Sequence, residues 1–343
     1  ARLRPLAVAD WLTFDVARLD QGGEAPLIRP VTVSATVAKR PDGLVLDGTG
    51  RLADGAIPFR LAGRAARDAA VGRVSLVVPP VRFRPGGVQP ADAVPALRAI
   101  TDVQGRAGGT LRLNWGAGEI DGSASARLDD LDLRSGPVRV AGLAGELPLD
   151  RLRPVRTAEP QRLTADSIEA GVRIGSPSLE FTVERLSGTG PGIQVIEARG
   201  DVVDGTVAVR NWRFDPFAQV YDPLVEVEDI SLARLLERLQ VQGLQGSGRL
   251  SGALPVFYAE PGVAIRDGRL RGRDGRIRYR SERATESLAD ADRTVELMLR
   301  ALRDFEYNQL EAEVNRELDG ASRIDIHMQG RNPDVLEGHP FDF

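Results

Sequence analysis

The sequence predicts a mainly β protein of short antiparallel strands with a few short amphipathic helices. Three observations carry this. Apolar and polar residues alternate over many stretches, glycine-bearing turn signals separate those stretches, and aromatic residues make up only 5% of the 343 while Gly (37) and Pro (22) are abundant. Alternation marks a strand with one apolar and one polar face, because successive side chains point to opposite sides.

The clearest stretch runs from Gly243 to Tyr279. Leu250, Leu254 and Val256, then Val263 and Ile265, then Leu270, then Ile277 and Tyr279 alternate with polar residues. Asp267-Gly268 and Asp274-Gly275 read as hairpin turns, since both central positions of such a turn need φ > 0. The expectation is a meander of short strands.

The same pattern runs along the chain. Arg2–Val8 and Trp11–Leu19 are candidate strands. Val31, Val33, Ala35 and Val37 share one face, with Thr32, Ser34 and Thr36 on the other. Leu44 and Leu46, Ile57, Phe59 and Leu61, and Val74, Leu76 and Val78 continue it, with turns at Asp42-Gly43 and Asp54-Gly55. Pro79-Pro80 and Pro85-Gly86-Gly87 should end this section. At residues 91–104 the period changes: Leu97, Ile100 and Val103 recur at three, which reads as a short helix opened near Pro95. Strands resume with Leu111, Leu113 and Trp115, then Ile120 to Leu128, and later Leu163–Arg173, Leu179–Leu186, Val195–Val203 and Thr206–Phe214.

Two further helices are expected. Over 231–242, Leu232, Leu235, Leu236 and Leu239 form a helical stripe, with Ser231 as N-cap and Gly243 past the end. Over 284–305, Leu288, Val295, Met298, Leu302 and Phe305 line one face. The hairpin Tyr307–Val314 and Ser322–Gln329 turns at Asp319-Gly320, and Asn332 to Phe343 read as an extended tail. The three helices are the expected soft joints of a single elongated unit over 1–343. There is also an internal echo: L-D-D-L-D-L at Leu128–Leu133 matches V-E-D-I-S-L at Val227–Leu232, and each is followed by G-L-x-G, at Gly142–Gly145 and Gly243–Gly246. Ordered echoes suggest an array of stacked units.

Several function classes are poorly supported. The net charge is −4 with no basic stripe, which argues against nucleic acid. There is no cysteine, and the two histidines, His327 and His339, have no ligand spacing, so neither a metal nor a cofactor is expected. His327 should sit on a polar strand face rather than act as a base. Asp129, Asp130 and Asp132 lack the spacing of a calcium loop. The glycine clusters at Gly105–Gly109 and Gly246–Gly252 lack the Gly-Lys-Ser/Thr ending of a phosphate loop. A glycan-active enzyme would need clustered carboxylates and an aromatic platform, while Trp11, Trp115 and Trp212 are spread apart. No apolar run approaches the ~20 residues that span a bilayer. Ala1 opens in mid-texture, so the expectation is a fragment of a longer protein. Lys39 is the single lysine among 45 basic residues, read as genome bias.

On texture alone, a sandwich core is the favoured use of the apolar faces. A resemblance shifts that balance. Gly243–Pro255, the D-G-R-L of Asp267–Leu270, the R-I-R-Y of Arg276–Tyr279, the A-L-R-D-F-E-Y of Ala301–Tyr307 and the Q-G-R-N-P-D of Gln329–Asp334, followed by Gly338–Pro340, resemble the C-terminal region of the YdbH-like family, within the wider AsmA-like group that includes TamB. The match is best over 225–343.

This resemblance implies a long curled antiparallel sheet forming an open apolar groove. It implies a periplasmic protein of the Gram-negative envelope, anchored in the inner membrane by an N-terminal helix outside this sequence. It also implies phospholipid as cargo and a small outer-membrane lipoprotein as partner at the C-terminal end. The chain would then be a non-enzymatic conduit segment bridging the two membranes. The groove candidates are Val33, Val37, Phe59, Leu61, Leu111, Leu113, Val207, Leu250, Ile265 and Ile277. At ~4.8 Å per strand, roughly 18–20 strands would extend about 85–95 Å. The alternative is a periplasmic assembly module that binds outer-membrane proteins by strand addition.

Overall fold

A computed structural model describes residues 2–3, 11–19, 28–152, 154–185, 191–216, 218–240, 242–260, 262–280 and 293–342. Among the described residues antiparallel strands dominate: 21 join one sheet and two form a separate hairpin. The chain divides into compact units at Ala1–Ile196 and Glu197–Phe343.

The first unit opens with β1 (Arg2–Leu3), β2 (Trp11–Leu19), β3 (Val31–Arg40), β4 (Gly43–Leu52), β5 (Ile57–Ala65) and β6 (Gly72–Phe83). Helix α1 (Pro90–Ala93) and a 3-10 turn at Pro95–Leu97 lead to β7 (Ile100–Gly116), β8 (Glu119–Ser135) and β9 (Val138–Leu149). The small hairpin is β10 (Arg151–Leu152) with β11 (Val155–Arg156), and β12 (Gln161–Thr164), β13 (Ser167–Glu169), β14 (Arg173–Arg185) and β15 (Pro191–Val202) follow. The division between the units falls within β15.

The second unit holds β16 (Gly205–Phe214), β17 (Val220–Tyr221), β18 (Leu224–Ser231), α2 (Leu232–Leu239), β19 (Leu244–Ala259) and β20 (Gly262–Tyr279). It closes with α3 (Arg293–Ala301), a 3-10 turn at Leu302–Asp304, β21 (Phe305–Arg316), β22 (Ser322–Arg331) and β23 (Pro340–Asp342).

The mainly β reading holds, and several local expectations are corrected. Asp267-Gly268 and Asp274-Gly275 are not turns: β20 runs through both as one 18-residue strand. Asp267 (φ 53°) and Asp274 (φ 53°) are left-handed residues at bulges, so the conformation expected of a turn is present without the reversal. The strands are correspondingly longer than a short-strand meander, with 17 residues each in β7 and β8. Pro79-Pro80 does not end β6 but sits at a register shift between Val78 and Val81. There the missing N–H groups cost no ladder bond.

The helix expected over 91–104 is confined to Pro90–Ala93 and Pro95–Leu97. Ile100 and Val103 belong to β7 instead, and their spacing of three comes from the left-handed Asp102 (φ 54°) between them. The helix expected over 284–305 is found at Arg293–Ala301, and Leu288 lies outside the described residues. Phe305 begins β21. The supposed tail carries β23, which pairs Gln329–Arg331 of β22 with Asp342–Pro340.

Helix α2 forms as expected. Ser231 Oγ accepts from the Arg234 N–H at 3.3 Å, satisfying a first-turn donor. Gln240, left-handed, ends the helix before Gly243. The turns at Asp42-Gly43, Asp54-Gly55 and Asp319-Gly320 are also as expected.

Candidate functional site: the apolar sheet faces

Residues directly opposite each other on antiparallel strands point to the same side. In the first unit, register links Leu12, Val37, Leu46, Gly63, Val74, Leu113 and Gly122 into one row across seven strands. A second row links Phe14, Ala35, Gly48, Leu61, Leu76, Leu111, Ala124 and Leu149. A third joins Val16, Val33, Gly50 and Phe59. The opposite face reads Thr13, Thr36, Asp47, Ala62, Ser75, Arg112 and Ser123. All six candidates from this unit, Val33, Val37, Phe59, Leu61, Leu111 and Leu113, therefore share one apolar face.

The second unit repeats this arrangement. Val207, Val227, Gly252, Leu270, Ala312 and Ile326 form one row. Leu250, Gly272, Leu310 and Met328 form the next, and Gly246, Ile277 and Phe305 another. Ile265 reaches the same face beyond the Asp267 bulge, where its side chain and that of Leu254 lean over Gly268. Val207, Leu250, Ile265 and Ile277 are thus also on one face.

Sequence reasoning read glycine only as punctuation and missed its part in these rows. Phe59 lies over Gly50, Trp115 over Gly72, and Leu113 over Gly122, where a Cβ would have no room. Large side chains filling a neighbour's glycine slot keep the face closed without bulky residues at every position. Leu76, Val74 and Leu46, and in the second unit Leu254 and Val314, were in the alternating runs but became identifiable as neighbours only through the register.

Coverage of each face is uneven. In the first unit Val88, from the segment before α1, and Ile100 pack against a buried cluster of Phe83, Val103 and Leu131. Gln89 fastens this segment: its Oε1 accepts from Val103 N–H at 2.9 Å and its Nε2 donates to the Val103 carbonyl at 3.2 Å. Leu61, Leu76, Leu111 and Leu113, outside that cluster, are only half-buried. In the second unit Leu232 and Leu236 of α2 pack on Gly246. In the same row Ile277 is 6% exposed and Phe305 0%. Away from the helices, Ile324 (50%) and Ile326 (51%) face solvent.

The polar faces are laced with ion pairs. Arg210 contacts Glu197 at 3.0 Å, Glu226, and Glu228 at 3.3 Å. The hydrogen bond to Glu197, with the nearby Glu226 and Glu228 charges, raises the Arg210 pKa further. Arg271 pairs with Glu311, and Arg276 and Arg278 with Asp304. His327, on the polar face as expected, places Nε2 3.0 Å from Asp342 Oδ1. A cavity of about 310 Å³ lies on the first unit's polar side, among Pro79, Pro80, Arg106 and Arg127. Among the described residues there is no cluster of potential metal ligands, and no helix is long and apolar enough to cross a membrane.

Three of the sequence blocks that carry the family resemblance meet at one place. The Tyr307 hydroxyl donates to the Ser247 carbonyl at 2.8 Å, and Asn332 Nδ2 donates to the Ala301 carbonyl at 2.9 Å. Burial, then the Asp274 charge, pushes the Tyr307 pKa up. A second aromatic group stacks Trp212 on Phe214 at 4.4 Å, with Tyr221 edge-on to both.

Each unit is thus of the antiparallel β class, a sheet with one wide apolar face, part buried and part open. The chain belongs to the YdbH-like family, described as intermembrane phospholipid transport protein YdbH, whose family model matches residues 15–343. That span extends well upstream of the blocks over 225–343. No curated protein and no solved structure matches the chain. The family is one of intermembrane phospholipid transport, a task of the cell envelope.

Proposed function

We propose that the chain is a non-enzymatic segment of a conduit that carries phospholipid across the periplasm between inner and outer membranes. The supporting observation is the continuity of the apolar rows, which run from strand to strand without a charged interruption. Acyl chains lie along the open part of this face while head groups stay in water. Each methylene kept from water contributes ~0.8 kcal/mol, so a continuous apolar path removes most of the barrier to leaving a membrane. Val33, Val37, Leu61, Leu111, Leu113, Val207 and Ile265, all part-exposed, make the contact; Phe59, Leu250 and Ile277 are buried and support it. In this reading the full-length protein is anchored to the inner membrane.

A small outer-membrane lipoprotein docks at the C-terminal end. The free edge of β22 favours this: β23 pairs only with Gln329–Arg331, leaving Ser322–Met328 with no second partner strand among the described residues. The same edge supports the second reading, a scaffold that adds strands of outer-membrane proteins.

A photo-crosslinking residue at Leu113 or Ile265 tests the reading in cells. Phospholipid adducts are expected at both, and none at Arg112 or Arg269 on the polar faces. Adducts to protein alone would favour the scaffold.

A further inference from the structure

Seven non-glycine residues inside described strands are left-handed: Asp102, Asp130, Ser176, Asn211, Asp229, Asp267 and Asp274. Asp and Asn tolerate this conformation better than most residues, but a plain strand does not need it. Strained backbone kept at specific places points to a use for it.

Asp130 and Asp229 occupy the same place in the internal echo, third in L-D-D-L and third in V-E-D-I. Both have φ 54°. Both shift the ladder by one residue, Leu128–Leu131 against Gly145–Leu143 and Val227–Ile230 against Gly252–Leu250. Each faces a glycine of a preceding strand, Gly105 and Gly205, where a Cβ would strike the Asp backbone. The echo is therefore a repeated bulge.

Each bulge belongs to a line. In the first unit the line runs from Asp130 to Gly142 (φ 68°), whose N–H donates to Asp132 Oδ1 at 2.9 Å. It continues to Asp166, against which Gly142 packs, and to the left-handed Ser176, whose N–H donates to the Asp166 carbonyl at 2.9 Å. In the second unit the Asp229 N–H donates to Ser251 Oγ at 2.9 Å and Arg249 holds the Asp229 carbonyl at 2.7 Å. Gly248, Asp274 and Tyr307 carry on from there. A bulged strand bends and twists more, so aligned bulges crease a sheet.

We propose that Asp130 and Asp229 are positioning residues for the cargo: each marks a crease that sets the curvature of its own unit's apolar face, the first separating a buried part from an open part. This rests on the lipid reading above. Buried Val103 and Leu131 lie to one side of the first crease, and open Leu111 and Leu113 to the other.

The test compares the parent chain with Asp130→Gly, which keeps a left-handed residue, and with deletion of Asp130, which restores regular alternation. Spin labels at Arg112 and Arg139, either side of the crease, report the bend. Uptake of a fluorescent phosphatidylethanolamine from vesicles, expressed per folded molecule, reports loading. The deletion should shift the label distance and cut loading about tenfold, with Asp130→Gly at parental values in both. A deletion that shifts the distance yet loads normally overturns the proposal, as does an unchanged distance. If the deletion does not fold, Asp130→Val, which disfavours φ > 0, takes its place under the same criteria. A parent that takes up no lipid, with the distance still shifted by deletion, defeats the lipid reading and leaves the crease standing.

Discussion

The Tyr307 hydroxyl donates to the Ser247 carbonyl 2.8 Å away, reaching from β21 across Gly275 of β20 to β19. It passes between Gly248 and Gly275, and neither position has room for a Cβ beside the ring. Tyr307→Phe should lower stability by about 1 kcal/mol, since Ser247 loses its donor. Gly275→Ala should cost more, roughly 1–3 kcal/mol, by overpacking. Urea melts followed by circular dichroism check the order.

The same contact gives an alkaline signature. Burial raises the Tyr307 and Tyr221 pKa values above their usual 10.0. The folded state then holds these protons more tightly than the unfolded chain. Their contribution is complete below about pH 10 and is lost as pH climbs through the raised values. Stability should fall above about pH 10, and less steeply in Tyr307→Phe, with Tyr221 supplying the remainder. Melting temperature against pH for both proteins measures this.

How far the sequence could be read follows from the same residues. One-face alternation was legible, and with it the sharing of a face by Val33, Leu61 and Leu113. Bulges were not, because Asp-Gly demands φ > 0 in a turn and in a bulge alike, and only the partner strand distinguishes them. A bulge also inserts one residue into the alternation. Ile100 and Val103 consequently take a spacing of three, which imitates a helix, as do Leu128 and Leu131. Coverage of the face was equally hidden: Ile277 and Ile265 alternate alike, yet α2 and Phe305 lie along the row of Ile277.

Asn332 fastens the end of α3. Its Nδ2 donates to the Ala301 carbonyl at 2.9 Å and its Oδ1 accepts from Asp334 N–H at 2.8 Å, with only 2% of the residue exposed. Asn332→Ala should cost about 2–3 kcal/mol by orphaning buried groups. Ser231→Ala, removing the N-cap of α2, should cost about 1 kcal/mol. Thermal melts of the two variants test this ranking.

Arg210 sits among Glu197, Glu226 and Glu228. Arg210→Gln leaves three carboxylates facing one another on adjoining strands. The melting temperature should drop, more at low than at high salt, because salt screens the repulsion among the carboxylates. Equal losses at all salt concentrations would show that packing of the side chain matters more than its charge.

If the apolar faces hold phospholipid, lipid should stay with the protein through purification. Native mass spectrometry with lipid extraction, on protein purified from cell envelopes, tests it most directly. Phospholipid is expected to co-purify with the parent and with an Arg112→Glu control, and to be lost in Leu113→Glu and Ile265→Glu variants that keep their β circular dichroism. A lipid-free parent, or Glu variants that carry lipid as the parent does, would contradict it.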